Sequence, residues 1–239
     1  MQSRIVAMIP ARIGSTRLPM KNLALINGQP MIAYAVKAAQ ESGMFDRIVI
    51  NGDSPVFGKI AERYGVEFYH RPEHLGSSTT KSDDVVNDFM QAHPADIVCW
   101  VNPTSPLQSG TEIRAVINHF LAEGLDTLIT VSNAQVHANF GGKPLNYRTD
   151  ELFAQTQDLT PVELFVYSVM MWRSAPFLAD HKRQGHAFFV GKVGFFPVSK
   201  ESAIIVKKAE DLKLIENIMK SRDAGGEETV VYDPVAKER

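Results

Sequence analysis

The stretch Ile5-Val-Ala-Met-Ile9-Pro-Ala-Arg12-Ile-Gly14-Ser15-Thr16-Arg17-Leu-Pro19-Met-Lys21-Asn22 decides how this chain is read. Ile5 to Ile9 is a continuous apolar run, the pattern of a strand buried on both faces. The chain leaves it through a proline, a glycine and two hydroxyl residues, and carries Arg12, Arg17 and Lys21 along the way. In an open α/β sheet, the loop at the carboxyl end of the first parallel strand is a ligand site. Small residues there let backbone N–H groups approach phosphate oxygens, which the three cations can neutralise. The spacing is not that of a Walker loop, which needs Gly-Lys followed by Ser or Thr at the head of a helix. From these residues alone two readings stay open: a phosphate loop, or a solvated βα turn with incidental charges.

Working outward, strand and helix signals alternate. Pro30 to Glu41 has helical apolar spacing and stops at Ser42-Gly43; Arg47–Asn51 reads as a second strand. A helix over 56–64, a strand over 66–69, a helix over 81–93, a strand over 96–101, a helix over 112–123 and a strand over 127–132 follow. Alternation at this spacing predicts right-handed βαβ units on a mainly parallel, Rossmann-like sheet flanked by helices. From Ala134 to about Asp158 the chain is polar and turn-rich. It then runs through Val162-Glu-Leu-Phe-Val-Tyr-Ser-Val-Met-Met-Trp172, and through strand-like surface at Phe188–Val190 and Val193–Val198. An apolar excursion of that size needs burial, either over the sheet or against another subunit. The expected organisation is therefore a core of residues 1–133 and 199–223, a β-rich dimerisation extension over 134–198, and a mobile tail over 224–239. A last helix is expected from Glu210-Asp211 to about Ser221, with carboxylates at its positive end.

Composition narrows the classes. The chain has 239 residues, 44% hydrophobic and 22% charged, enough to bury a full core. A formal net charge of −2 gives no global field for nucleic acid, and no basic face with interleaved aromatics stands out. The single cysteine, Cys99, lies in the apolar run Ile97–Val101, which suits a core residue in a reducing, cytoplasmic setting. No Cys/His cluster has zinc spacing, and no run approaches a membrane span.

Pro10-Ala11-Arg12-x-Gly14-Ser15-x-Arg17-x-Pro19-x-Lys21-Asn22, followed by Asn27-Gly-Gln-Pro-Met-Ile32, resembles the acylneuraminate and 3-deoxy-manno-octulosonate cytidylyltransferases, the CMP-sugar synthetases. Arg71-Pro-Glu-x-Leu75, running on to Thr80 and Ser82, and Asn102-Pro-Thr104-Ser105-Pro-Leu107 match as well, so the likeness covers residues 4 to 220. The resemblance implies transfer of a cytidylyl group from CTP to a 2-keto-3-deoxy acid sugar, with pyrophosphate leaving, for surface polysaccharide. It implies that Arg12 and Lys21 neutralise the triphosphate and that Ala11, Gly14, Ser15 and Asn22 shape its loop, with Arg17 alongside. Thr80 and Ser82 would then serve the cytosine, although Ser82 is also a good helix cap. Asn102, Thr104, Ser105 and Gln108 would face the sugar, and the chain would be a homodimer whose excursion completes the neighbour's sugar site.

Two departures from the family pattern stand out. The family carries Asp-x-Asp before its last helix to hold Mg²⁺ against the triphosphate, since hard divalent cations want carboxylate oxygens. Here Ile205 and Lys207 stand at those positions, so the expected Mg²⁺ has no retained protein ligand. Lys207 becomes a candidate to replace part of its charge, beside Arg12 and Lys21 as catalytic cations. A chain that binds nucleotide or a partner without turnover is the alternative this opens. The second departure is the loss of a family arginine for the sugar carboxylate in Phe165-Val-Tyr-Ser168. That leaves Arg148, Arg173 and Lys192 as unplaced substitutes and favours an ulosonate other than N-acetylneuraminate.

Overall fold

The computed structural model describes residues 3–77, 79–223 and 232–233; nearly all of the expected tail lies outside them. Seven strands form the central sheet: β1 (Ile5–Ala11), β2 (Arg47–Gly52), β3 (Glu67–His70), β4 (Ile97–Val101), β5 (Thr127–Ala134), β6 (Val162–Arg173) and β7 (Val193–Pro197). Their spatial order is β7-β5-β6-β4-β1-β2-β3. β1 pairs in parallel with β2 and β4, β2 with β3, and β7 with β5; β6 alone runs antiparallel, between β4 and β5. The expected parallel α/β core is present.

Both faces of β1 are sealed, as its unbroken apolar run requires. Ile5, Ala7, Ile9 and Ala11 pack with α1 (Met31–Ser42), α2 (Val56–Tyr64) and α4 (Gly110–Ala122), while Val6 and Met8 pack with α3 (Ser82–Ala92) and α5 (Ser174–Gln184). Helix α4 lies so close on α1 that a Cβ on Gly110 would stand 2.8 Å from the Ser42 nitrogen and 2.9 Å from the Ala38 oxygen. Only glycine fits that approach. A smaller core of Ile26, Met31, Leu107, Val206 and Ile215 ties the last helix, α6 (Ala209–Asp223), to the rest.

The run Val162–Trp172, assigned from sequence to an extension, is instead a strand of this sheet. Ser168–Trp172 is buried between its neighbours, with Trp172 Nε1 donating to the Phe188 oxygen at 2.9 Å. The outer half differs: Leu164, Phe165 and Tyr167 are exposed. Between the halves the register slips. Phe165 faces Val131 and Met170 faces Ile129, so four residues stand against Thr130 alone. This wide bulge places Tyr167 at φ 59°, the left-handed region that a bulky side chain rarely enters. The Thr130 hydroxyl fills in for the interrupted ladder, accepting from Val169 N at 3.0 Å and donating to Val169 O at 2.9 Å.

Helix α5 had no sequence signal, and Phe188–Val190, read as strand-like, is not a strand. Pro176 falls in the first turn of α5, where the missing N–H costs nothing. Residues 135–161 form the expected turn-rich excursion, with one short ladder between Asn139–Phe140 and Lys143–Pro144. Cys99 is fully buried in β4, and burial raises its thiol pKa, as expected for a core residue. Among the described residues no helix is long and apolar enough to cross a membrane.

Candidate functional site

The register Ala11↔Gly52, Gly52↔His70 and Met8↔Trp100 brings the carboxyl ends of β1, β2, β3 and β4 into one row. Arg12, Asp53, Arg71 and Asn102 are the next residues on each, so sheet topology alone gathers them. A cavity of about 310 Å³ opens there, walled by residues 10–12, 15–17, 21–22, Arg71, Leu75, Ser77, Thr80, Ser82, Val85 and 100, 102–104.

The loop after β1 is pinned by side chains from elsewhere. Arg71 Nη2 donates to the Ala11 carbonyl at 2.9 Å, Asn22 Nδ2 to the Arg12 carbonyl at 3.3 Å, and the Ile13 amide to Asp53 Oδ1 at 2.9 Å. Met20 adopts φ 49° just before a short 3₁₀ turn, Lys21–Leu23, which turns Lys21 and Asn22 back toward the cavity. Lys21 Nζ donates to the Val206 carbonyl at 3.1 Å, bridging from the loop to the segment before α6.

Four cations, Arg12, Arg17, Lys21 and Arg71, stand on the cavity wall, and among the described residues no Asp or Glu does. Burial, then Arg17 and Arg12, lowers the Lys21 pKa, with Asp211 opposing. Burial likewise lowers that of Arg71, whose partner Asp53 is 4.0 Å away. Positive charge crowded and only partly compensated is the electrostatic signature of an anion site. The wall also holds three buried polar atoms with no hydrogen-bond partner: Asn22 Oδ1, Arg71 Nε and Trp100 Nε1. Such atoms are costly unless a ligand or water satisfies them.

Across the cavity stand hydroxyls. Thr80 Oγ1 donates to the His74 carbonyl at 3.0 Å and Ser77 Oγ shares a 2.7 Å bond with Thr79. Ser82 opens α3, but no side chain caps that helix, so the capping role expected of Ser82 is not seen. Asn102 is held firmly: its amide N–H donates to the Ser168 carbonyl at 2.9 Å and its Nδ2 to the Tyr167 carbonyl at 3.1 Å. Its Oδ1 accepts from the Thr104 amide at 3.1 Å and the Thr104 hydroxyl at 2.8 Å. The bulge in β6 thus braces a cavity residue.

Of the residues singled out in the sequence, Ala11, Arg12, Ser15, Arg17, Lys21, Asn22, Thr80, Ser82, Asn102 and Thr104 meet on this cavity. Gly14 lies in the same loop but off the wall, and Ser105 is buried beneath it. Gln108 lies on a second cavity, of about 400 Å³, beside α1 and α6, with its Nε2 donating to Glu112. Lys207 is exposed and off the wall. The three cations suggested for a sugar carboxylate are engaged elsewhere: Arg148 with Asp150 and Glu151, Arg173 with Asp126 and the Leu125 carbonyl, and Lys192 with Glu123. Arg71 and Trp100 received no role from the sequence, although a cation just after a parallel strand, followed by proline, could have marked Arg71.

The chemistry of the donor set does not fit a protein-held Mg²⁺. No three His, Cys, Asp or Glu among the described residues gather to hold a metal ion. Asp211, four residues past Lys207, turns its Oδ2 to the Lys207 and Lys208 amides at 2.6 and 2.8 Å; these backbone bonds, Lys207 first, lower its pKa.

A family model described as cytidylyltransferase matches residues 6–220. The N-acylneuraminate cytidylyltransferases of Escherichia coli O18:K1:H7 and Streptococcus agalactiae serotype V are 27% and 25% identical over 229 and 219 residues, or 93% and 86% of this chain. Those matches take in 54% and 51% of the relatives, so the chain spans about half their length. Post-translational flagellin modification protein B of Campylobacter coli is 27% identical over 239 residues, which is 92% of this chain and 97% of that protein. Among solved structures, CMP:2-keto-3-deoxy-manno-octonic acid synthetase complexed with CTP aligns with a TM-score of 0.72 at 16% identity, over 92% of this chain and 100% of that one. The 4-diphosphocytidyl-2C-methyl-D-erythritol synthase of Anaerococcus prevotii aligns at 0.65 with 14% identity, over 91% and 99%. At such identities these two structures speak for the fold.

Proposed function

The chain belongs to the cytidylyltransferase family, and from that premise we propose that it joins CTP to a 2-keto-3-deoxy acid sugar, releasing pyrophosphate. The observation that carries the reading is the cavity: four cations and three unsatisfied buried polar atoms on the wall of one cleft, at the carboxyl ends of parallel strands. The phosphates lie along the loop from Pro10 to Asn22, against Arg12, Arg17 and Lys21. The base lies toward Thr80 and Ser82, and the acceptor toward Asn102 and Thr104.

In the reaction a sugar hydroxyl oxygen bonds to the α-phosphorus while the bond from that phosphorus to the β-phosphate oxygen breaks. Pyrophosphate takes the electron pair, and the hydroxyl proton passes to solvent. Charge builds on the leaving phosphates, where fixed cations stabilise it most. The pinned loop keeps those cations from having to reorganise.

A homodimer goes with this reading. Phe165, Tyr167 and Phe189 expose a contiguous aromatic cluster, Leu164 is exposed beside them, and Leu152 and Phe153 in the excursion are 96% and 69% exposed. A second copy covering that surface would also bring new residues toward the acceptor end, where this chain supplies no free cation among the described residues.

The test is calorimetry with CTP and a pyrophosphate-release assay across a panel of acid sugars. Lys21→Ala removes a charge-assisted bond of roughly 1.5–3 kcal/mol, so CTP affinity is expected to fall about tenfold or more. Unchanged affinity in that variant refutes the phosphate assignment. Binding without pyrophosphate release on any acceptor favours the reading that this chain binds without turnover, which the loss of both metal-site acids motivates.

A further inference from the structure

Resting on the functional reading above, we propose that this chain neutralises the triphosphate with side-chain cations in place of a protein-held divalent ion, and that the Val206 carbonyl fixes Lys21 for that task.

Charge on the wall comes first. Arg12, Arg17, Lys21 and Arg71 line the cavity and, among the described residues, no carboxylate does. A nucleoside triphosphate whose terminal phosphate is mostly dianionic carries about four negative charges. Those four side chains match that charge without a metal. A divalent ion added to this wall would meet only positive neighbours and neutral oxygens, a poor set for a hard cation.

The acids whose fields reach these cations are committed elsewhere. Asp53 accepts from the Ile13 amide and faces Arg71, and Asp88 accepts from the Tyr69 hydroxyl at 3.0 Å. Asp211 holds the Lys207 and Lys208 amides. Releasing any of them to ligate a metal would strand a buried partner or unravel the start of α6.

The segment 204–208 explains how a lysine can substitute. A lysine is ordinarily a point charge on a flexible stem, badly suited to holding phosphates in line. Val206 removes that weakness. Its side chain is fully buried in the small core with Ile26, Leu107 and Ile215, and its amide donates to the Thr104 carbonyl at 2.9 Å. Its carbonyl then takes one of the three Lys21 N–H donors at 3.1 Å. Two donors are left for a ligand, from an ammonium whose position is set by the core. The neighbours Ile205 and Lys207, at the two acid positions of the family pattern, bring no carboxylate, and Lys207 stays exposed off the wall. Lys21, not Lys207, is the charge that this segment sets on the cavity.

The deciding experiment titrates CTP into the full chain by calorimetry, once in EDTA and once in excess Mg²⁺. The expected result is affinities within about threefold of each other. In Ile205→Asp with Lys207→Asp, the restored acid pair is expected to make CTP binding at least tenfold tighter in Mg²⁺ than in EDTA, with a melting curve showing the variant folded. A tenfold or greater gain from Mg²⁺ in the unmodified protein overturns this inference and leaves the functional reading standing. No CTP binding in either buffer overturns both. A folded double variant with no Mg²⁺ response overturns the placement of segment 204–208 at the phosphates.

Discussion

On the β3-β2-β1-β4 side of the sheet, the polar groups that follow the strands are held by hydrogen bonds, while on the β6-β5-β7 side aromatic rings are exposed. Arg71 reaches the Ala11 carbonyl and Asp53 the Ile13 amide, two links between strands far apart in sequence, and Asn22 ties the loop after β1 back on itself at the Arg12 carbonyl. On the other side Phe165 meets the part-buried Phe195 at a tilt and Tyr167 edge-on, at centroid distances of 5.4 and 5.7 Å, and Phe165 and Tyr167 are exposed. The first arrangement is a hydrogen-bonded frame around a cavity, and the second leaves apolar surface uncovered. Under the proposed reading, one half of the sheet holds an anion and the other is covered by a second copy.

Substitutions along β6, which runs from one regime into the other, separate the two most sharply. The largest effect is expected at Trp172, fully buried against Phe177 and Phe188 with its indole N–H bonded. Trp172→Ala should cost about 3–5 kcal/mol. In a chain of this size that lowers the melting temperature by about 6–20 °C. A melt unchanged within error would mean that the inner half of β6 is not core.

Next comes the bulge. Thr130→Val keeps the shape but removes the hydroxyl that serves both polar groups of Val169, and unmet buried groups cost about 1–3 kcal/mol. Because the bulge carbonyls of Tyr167 and Ser168 brace Asn102, the same variant should also weaken acceptor use more than CTP binding. Loss of stability with no change in acceptor KM would confine Thr130 to structure.

The smallest effect on stability is expected on the exposed half. Leu164→Asp with Phe165→Asp should move the melting temperature little, since exposed positions fall within about 0.5 kcal/mol. Light scattering should nevertheless turn a dimer into a monomer. If the unmodified chain already scatters as a monomer at micromolar concentration, the outer half of β6 needs no cover and the dimer proposal fails.

How far the sequence could be read divides along the same line. β1 was legible because a strand buried on both faces must be apolar throughout, and the loop after it because turn chemistry and cations coincide there. Arg12, Arg17 and Lys21 were legible from the charge and turn chemistry of that loop, whereas Asn22, Thr80, Ser82, Asn102 and Thr104 were singled out through the family resemblance. β6 was assigned to an extension for a physical reason. An antiparallel strand inserted between β4 and β5 leaves no local periodicity to announce it, and its one apolar run covers a buried half and an exposed half. The bulge was invisible as well, because its left-handed residue is Tyr167, where glycine or asparagine would have signalled the turn. Arg71 and Trp100 escaped because their importance lies in orphaned atoms, which only three-dimensional neighbours define.

The bond from Lys21 to the Val206 carbonyl spans 185 residues. Contacts that distant in sequence close late, because the intervening chain must be ordered before they can hold. During synthesis from the N-terminus, the loop after β1 emerges early, yet its lysine has no anchor until residue 206 has been made. A truncated or stalled chain could therefore assemble β1 to β4 and still lack a set position for one of its four cations. Under the proposed reading, such a fragment has no finished site for nucleotide.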